Sequence, residues 1–235
     1  MLKHQPKKTF HIITAFPKLI EHYAETSVLG KARERGIFTL KMHNPREATT
    51  DARRTVDDRP YGGGAGMVLM AEPILKTVDS IFKKYPQKKY SIVILSAKGK
   101  PFNQKVASAW ATSQNDIICI AGRYEGIDER VKSALKAKEY AIGPYVLTDG
   151  DVAAMVIISA VARLLPGVIR WESLAEESHW NLLKRKEESL GRGVEYPHYT
   201  RPEVLEYCGK RYRVPKILLS GNHKKIADWR KKHAK

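Results

Sequence analysis

Cysteine is scarce: the 235 residues hold only Cys119 and Cys208, too far apart in the chain to read as a metal-type pair. That excludes a disulfide-stapled secreted fold and leads us to expect two reduced thiols in a cytoplasmic protein. No apolar run reaches the ~18 residues a membrane span needs. The opening MLKHQPKKTF lacks an apolar stretch, so no secretory signal is expected. The P-loop pattern is missing, and Gly62-Gly63-Gly64-Ala65-Gly66 follows a polar loop without G-x-G-x-x-G spacing. Neither common nucleotide fingerprint is therefore present. The histidines show no metal-ligand spacing, and there are no internal repeats.

Acidic residues are also few, 25 against 42 Lys and Arg, which leaves a net charge of +17. The surplus is uneven. From His179 to Lys235 there are 15 basic and 6 acidic residues, a surplus of +9 in about a quarter of the chain. Such a balance favours a polyanionic partner, because phosphate contacts release counterions. No stretch pairs these residues with a strong apolar helical face, which argues for nucleic acid over a membrane surface. Hydrophobic residues make up 43%, enough for one large domain with a small appendage.

Strand-like and helix-like segments alternate over the first 165 residues. Thr9–Ala15, Phe38–His43, Ser91–Ser96, Asp116–Ala121 and Glu139–Ile142 read as short apolar strands, while Pro45–Gly66 reads as a long polar loop. Helices are expected from Pro17, over Val28–Arg35, Glu72–Lys84, Asn103–Thr112, Ile127–Leu135 and Asp151–Leu164. This is α/β order, with a mainly parallel sheet covered on both faces. Asp151–Leu164 is apolar nearly all round and is expected to bury itself in the core or against another subunit. After Pro166-Gly167 the chain turns charged. We expect residues 1–168 to form the main domain, 169–195 a linker, and 196–235 a small helical domain.

In α/β sheets ligands collect where strands end and helices begin. Three such junctions stand out: Leu95–Pro101, Gly122–Arg130 and Ile142–Asp151. Each carries glycine just after an apolar strand, which lets backbone approach a ligand, although each could also be ordinary turn chemistry.

The strings TVDDRPYGGGAGMV, AGRYEGIDERV, AIGPYVLT, YPHYTRPEV and LLSGNHKKIADWR closely resemble the bacterial tRNA (guanine-N1)-methyltransferase family, of the SPOUT class. The resemblance covers the chain from about Phe10 to Arg230. It implies a deep trefoil knot, a homodimer, S-adenosylmethionine as cofactor, magnesium ion, and methylation of N1 of guanosine 37 of tRNA. A SPOUT enzyme acting on another nucleotide and a non-catalytic RNA-binding protein are the alternatives.

Carried onto this chain, the resemblance assigns Leu95, Ser96, Gly122, Ile142, Gly143, Tyr145, Val146, Leu147 and Gly150 to the cofactor. Glu125, also assigned to the cofactor, stands where the family has a glutamate important for activity and implied in metal binding, with an ion pair to Arg123 or Arg130 as the plainer reading. Arg163, in ARLLPG, stands at the family's arginine for the guanine oxygen, or serves its helix C-terminus. The base position reads Glu177-Ser178 where the family has aspartate before serine. Glu177 takes the base position if one residue is deleted between Gly167 and Glu177, and Ser178 takes it otherwise. Asp57, Arg59, Tyr61, His198, Arg201, Pro202 and His223 are implied RNA contacts, with His198 alternatively satisfying a loop and His223 capping the last helix. Asp149 replaces a family glycine and is expected either to favour the cofactor's positive groups or to crowd them. RNA affinity is expected to lean on Lys184-Arg185-Lys186 and Arg192.

Overall fold

The computed structural model describes residues 7–170 and 196–233. They divide into two compact units, one up to Ile169 and one from Arg170 onward. Glu177, Ser178, Lys184-Arg185-Lys186 and Arg192 lie outside the described residues.

The first unit is built on five parallel strands: β1 (Lys8–Ile13), β2 (Phe38–His43), β5 (Tyr90–Pro101), β6 (Asp116–Ala121) and β7 (Lys138–Ala141), in the order β2-β1-β6-β5-β7. A further two-stranded ribbon pairs β3 (Asp57–Asp58) with β4 (Val68–Leu69). Alternate strand residues point to opposite faces, and both faces are covered. Phe10, Ile12, Phe38, Val93, Ile117 and Cys119 pack on one face with helices α1 (Pro17–Ala24), α2 (Ser27–Glu34), α4 (Gln104–Thr112) and α6 (Gly150–Ala162). Ile13, Ile94, Ile118 and Ile120 pack on the other with α3 (Ala71–Lys84) and α5 (Glu129–Leu135). Double burial explains why these strands read as continuous apolar runs. Burial also pushes the Cys119 thiol up to about 12, so it stays protonated and inert.

Two expectations are corrected. β5 does not stop at Ser96 but continues to Pro101 through an irregularity, with both Leu95 and Lys100 opposite Tyr140. Gly99 makes this possible, since a Cβ there would lie 2.5 Å from the Tyr140 backbone nitrogen. The small C-terminal unit is also not purely helical. It contains a hairpin of β8 (Val204–Tyr207) and β9 (Lys210–Arg213), followed by a short 3-10 helix (Lys216–Leu219) and the α-helix His223–His233. Cys208 and Gly209 both take positive φ, which suits the two-residue turn whose twist matches a hairpin.

One buried polar cluster sets a pH dependence. His11 Nδ1 lies 3.0 Å from His43 Nε2, and the two rings stack at 5.2 Å. Burial, then the neighbouring His43, Lys41 and Lys88, hold His11 down to about 3. Burial with Lys41 and Lys84 holds His43 to about 4. The unfolded chain therefore binds protons near pH 6.5 that the folded protein refuses. Stability is complete above that value and falls as pH drops toward the folded values. Between pH 7 and 5 the loss should be roughly 2–4 kcal/mol for the pair, read as a lower urea midpoint. An unchanged midpoint would contradict it.

Candidate active site

Strands β6, β5 and β7 are neighbours, and the chain steps from β5 to β6 on one side and then crosses to β7 on the other. A ligand crevice is expected at such a reversal, beyond the carboxyl ends of the strands. Here the loops after β6 and β7 and the irregular outer part of β5 enclose a cleft of about 380 Å³, within the range of small-molecule sites. Leu95 and Ser96 line it from β5, and Gly122 and Glu125 from the loop after β6. Ile142, Tyr145, Val146, Leu147 and Gly150 line it from the loop into α6. Gly143 is not among the lining residues; a Cβ there would strike the Tyr145 ring at 2.2 Å, so its bareness makes room for that ring.

The loops are stitched together through backbone. Gly150 N donates to Gly122 O at 2.7 Å, and a Cβ on Gly150 would lie 2.6 Å from Gly122 N. Arg123 ties the same loops through its side chain. Its Nη2 donates to Asp151 Oδ2 at 2.8 Å and lies 3.7 Å from Asp149 Oδ2. Its guanidinium carbon sits 4.0 Å over the Phe16 ring. Asp151 is only 1% exposed and also accepts from the Thr14 hydroxyl, which gives a buried carboxylate the partners it requires. No spacing in the sequence marks this assembly, because its members come from the segment after β1, the loop after β6 and the start of α6.

Asp149 lines the cleft and also does something neither expectation named. Its Oδ1 accepts from Asp151 N at 2.9 Å and Val152 N at 3.3 Å, so it caps α6. Asp149→Ala should cost about 1 kcal/mol in urea unfolding, and Asp149→Gly only a few tenths. Equal costs would contradict the capping role.

Glu125 is not paired as the plainer reading expected. Arg123 faces Asp151 and Asp149, while Arg130 binds Asp128 at 2.6 Å. Glu125 lies instead against Gly66. Along one cleft wall, Lys98 and Lys132 alternate with Glu129 and Glu139 at 2.6–3.7 Å, a second feature not read from the sequence. Among the described residues no three His, Cys, Asp or Glu side chains gather to hold a metal.

Arg163 sits elsewhere. It caps the C-terminal end of α6 and borders a shallow apolar groove with Tyr23, Val152, Met155, Val156 and Ala160. At 1.5 Å per residue, α6 puts it about 20 Å from the end that lines the cleft. Val152 and Val156 are 39% and 40% exposed, so the apolar character of α6 is only partly used by the core.

Of the implied RNA contacts, Asp57 lies in β3, Arg59 is exposed and Tyr61 is fully exposed beside the glycine run. In the smaller unit His198, Arg201, Pro202 and His223 are exposed, and the His198 ring lies 4.7 Å from that of Tyr196. His223 does not cap the last helix: Asn222 does, its Oδ1 accepting from Lys225 N at 3.0 Å.

Residues 8–235 match the family described as tRNA (Guanine-1)-methyltransferase TrmD. A tRNA (guanine-N(1)-)-methyltransferase of Thermomicrobium roseum is 47% identical over 94% of this chain and 77% of its own. One from Carboxydothermus hydrogenoformans is 45% identical over 95% and 81%. The crystal structure of a tRNA (m1G37) methyltransferase from Aquifex aeolicus superposes with a TM-score of 0.74 at 34% identity, covering 97% of this chain and 89% of that one.

Proposed function

The chain belongs to the tRNA (guanine-1)-methyltransferase family, and from that premise we propose that it transfers a methyl group from S-adenosylmethionine to N1 of guanosine 37 of tRNA. The observation that carries this reading is the glycine-walled cleft at the reversal point of the sheet. Its bare contacts at Gly122 and Gly150 and its apolar lining from Leu95, Ile142 and Leu147 fit a bent nucleoside cofactor. S-adenosylmethionine supplies, when bound, a methyl group on a positively charged sulfur that departs as a neutral thioether.

The chain's own residues supply the rest. Neutral guanine carries hydrogen on N1 and is a poor nucleophile there. Glu177 takes that proton in our assignment, and Arg163 holds O6, where negative charge gathers as the proton leaves. Backbone groups of Tyr145, Val146 and Leu147 orient the adenine. Asp57, Arg59 and Tyr61, with His198, Arg201, Pro202 and His223 in the smaller unit, are assigned to the RNA, charged groups to phosphates and Asp57 to a guanine edge.

Residues 1–168 are proposed as the catalytic domain, closed by a trefoil knot, with 169–195 as the linker and 196–235 as the tRNA-binding domain. Support for the knot comes from the way α6 returns to Gly122 after β7. The active species is proposed to be a homodimer joined along the exposed face of α6. Two α6 helices packed antiparallel would bring Arg163 of each copy to the cleft end of the other, a distance α6 itself prevents within one copy.

Labelled S-adenosylmethionine incubated with protein and unmodified tRNA tests the reading. Label should appear in 1-methylguanosine and vanish when residue 37 is adenosine. Label on a ribose or another base, or none at all, would overturn it.

A further inference from the structure

The glycine run splits into two parts with different surroundings. Gly62 and Gly63, at φ +84° and +81°, have nothing within 4 Å of where a Cβ would stand. Gly66 has a similar φ of +76°, but a Cβ there would lie 2.5 Å from Glu125 Oε1 and 2.7 Å from Glu125 Cγ. The Glu125 side chain thus rests directly on the bare Gly66 backbone.

This contact closes a larger seam. β4 pairs on one edge with β3, Asp57 opposite Leu69 and Asp58 opposite Val68. On its other edge Leu69 N donates to Gly126 O at 3.0 Å, and Asp128 N donates to Leu69 O at 3.0 Å. Glu125 N donates to Met67 O at 3.1 Å. One short strand therefore joins the segment carrying Asp57, Arg59 and Tyr61 to the cleft loop carrying Glu125.

We propose that Gly66 is a positioning residue: by offering no side chain, it lets the glycine-rich arm fix the Glu125 carboxylate at the cleft. The proposal rests on Glu125 belonging to the active site, as assigned above. Any side chain at Gly66 must displace the flexible end of Glu125, whereas one at Gly63 meets open space and adds only the backbone strain of a positive φ.

The matched strain allows a double-mutant test in the full chain. Turnover, tRNA affinity and circular dichroism are measured for Gly66→Ala, Gly63→Ala, Glu125→Gln and the two doubles with Glu125→Gln. Gly66→Ala should lower kcat about tenfold or more with tRNA affinity held within about twofold, and should add nothing beyond about twofold to Glu125→Gln. Gly63→Ala acts independently, so its effect, whatever its size, should multiply with that of Glu125→Gln. Multiplying losses at Gly66, or full activity of Gly66→Ala, overturns the positioning role while leaving the methyl-transfer reading intact. Unchanged turnover in Glu125→Gln overturns both the role of Glu125 and the proposal. Absence of methyl transfer by the unaltered protein overturns the functional reading itself.

Discussion

Glu177→Gln is expected to lower kcat by about 10²–10⁴-fold while leaving S-adenosylmethionine affinity within about twofold of the original. The amide keeps the size and most of the polarity of the side chain but cannot accept the N1 proton at neutral pH. The loss should therefore fall on kcat and not on cofactor binding. Ser178→Ala should change little. Were Ser178→Ala the damaging change and Glu177→Gln the silent one, the register without a deletion between Gly167 and Glu177 would be correct. Rapid-quench turnover on both variants decides the point.

The second large effect concerns Arg163. Arg163→Ala alone should cost about 10²–10³-fold in kcat, the usual loss when one charge-stabilising donor is removed. Its distance along α6 from the cleft adds a sharper consequence. Ser96→Tyr, which fills the cleft of its own copy, should also be inactive by itself. Mixed dimers of the two variants should regain function, because in the proposed homodimer the open cleft of one copy would meet the intact Arg163 of the other. With random assortment about half the dimers are mixed and each has one working site of two, so roughly a quarter of full activity should return. Without exchange of Arg163 between copies no mixture recovers, since every open cleft then keeps its own defective arginine. Gel filtration alongside the mixing assay establishes that the dimers have formed.

The parts of the fold that the sequence made legible are those where burial imposes a pattern. β1, β2 and β6 run between two apolar layers, so their residues read as unbroken apolar stretches and their limits fall within a residue or two of the expected ones. The continuation of β5 was hidden because Ala97-Lys98-Gly99-Lys100 looks like a polar turn, and only the approach of Tyr140 to Gly99 explains why chain of that composition stays in a sheet. The hairpin was hidden for the opposite reason. β8 and β9 are exposed along nearly their whole length, so no alternation of apolar and polar residues marks them.

The candidate site divides in the same way. Its glycines were legible, since a glycine directly after an apolar strand signals close backbone approach. The Arg123 assembly was not: Thr14, Phe16, Arg123 and Asp151 share no spacing, and only the parallel sheet brings their loops together. Asp149 lines the cleft, and two helix amides share its Oδ1 as the cap of α6. An aspartate just before an apolar helix carries that signal in its position alone.

The proposed methyl transfer turns on a carboxylate that accepts a proton from a ring nitrogen while a guanidinium holds the neighbouring oxygen. A crystal structure of the dimer with a non-reactive S-adenosylmethionine analogue and a tRNA anticodon stem-loop carrying guanosine 37 tests it most directly. We expect the Glu177 carboxylate within hydrogen-bond reach, about 2.6–3.2 Å, of N1, and the Arg163 guanidinium at a similar distance from O6. A guanine seated against the cofactor with neither group beside it would contradict the account.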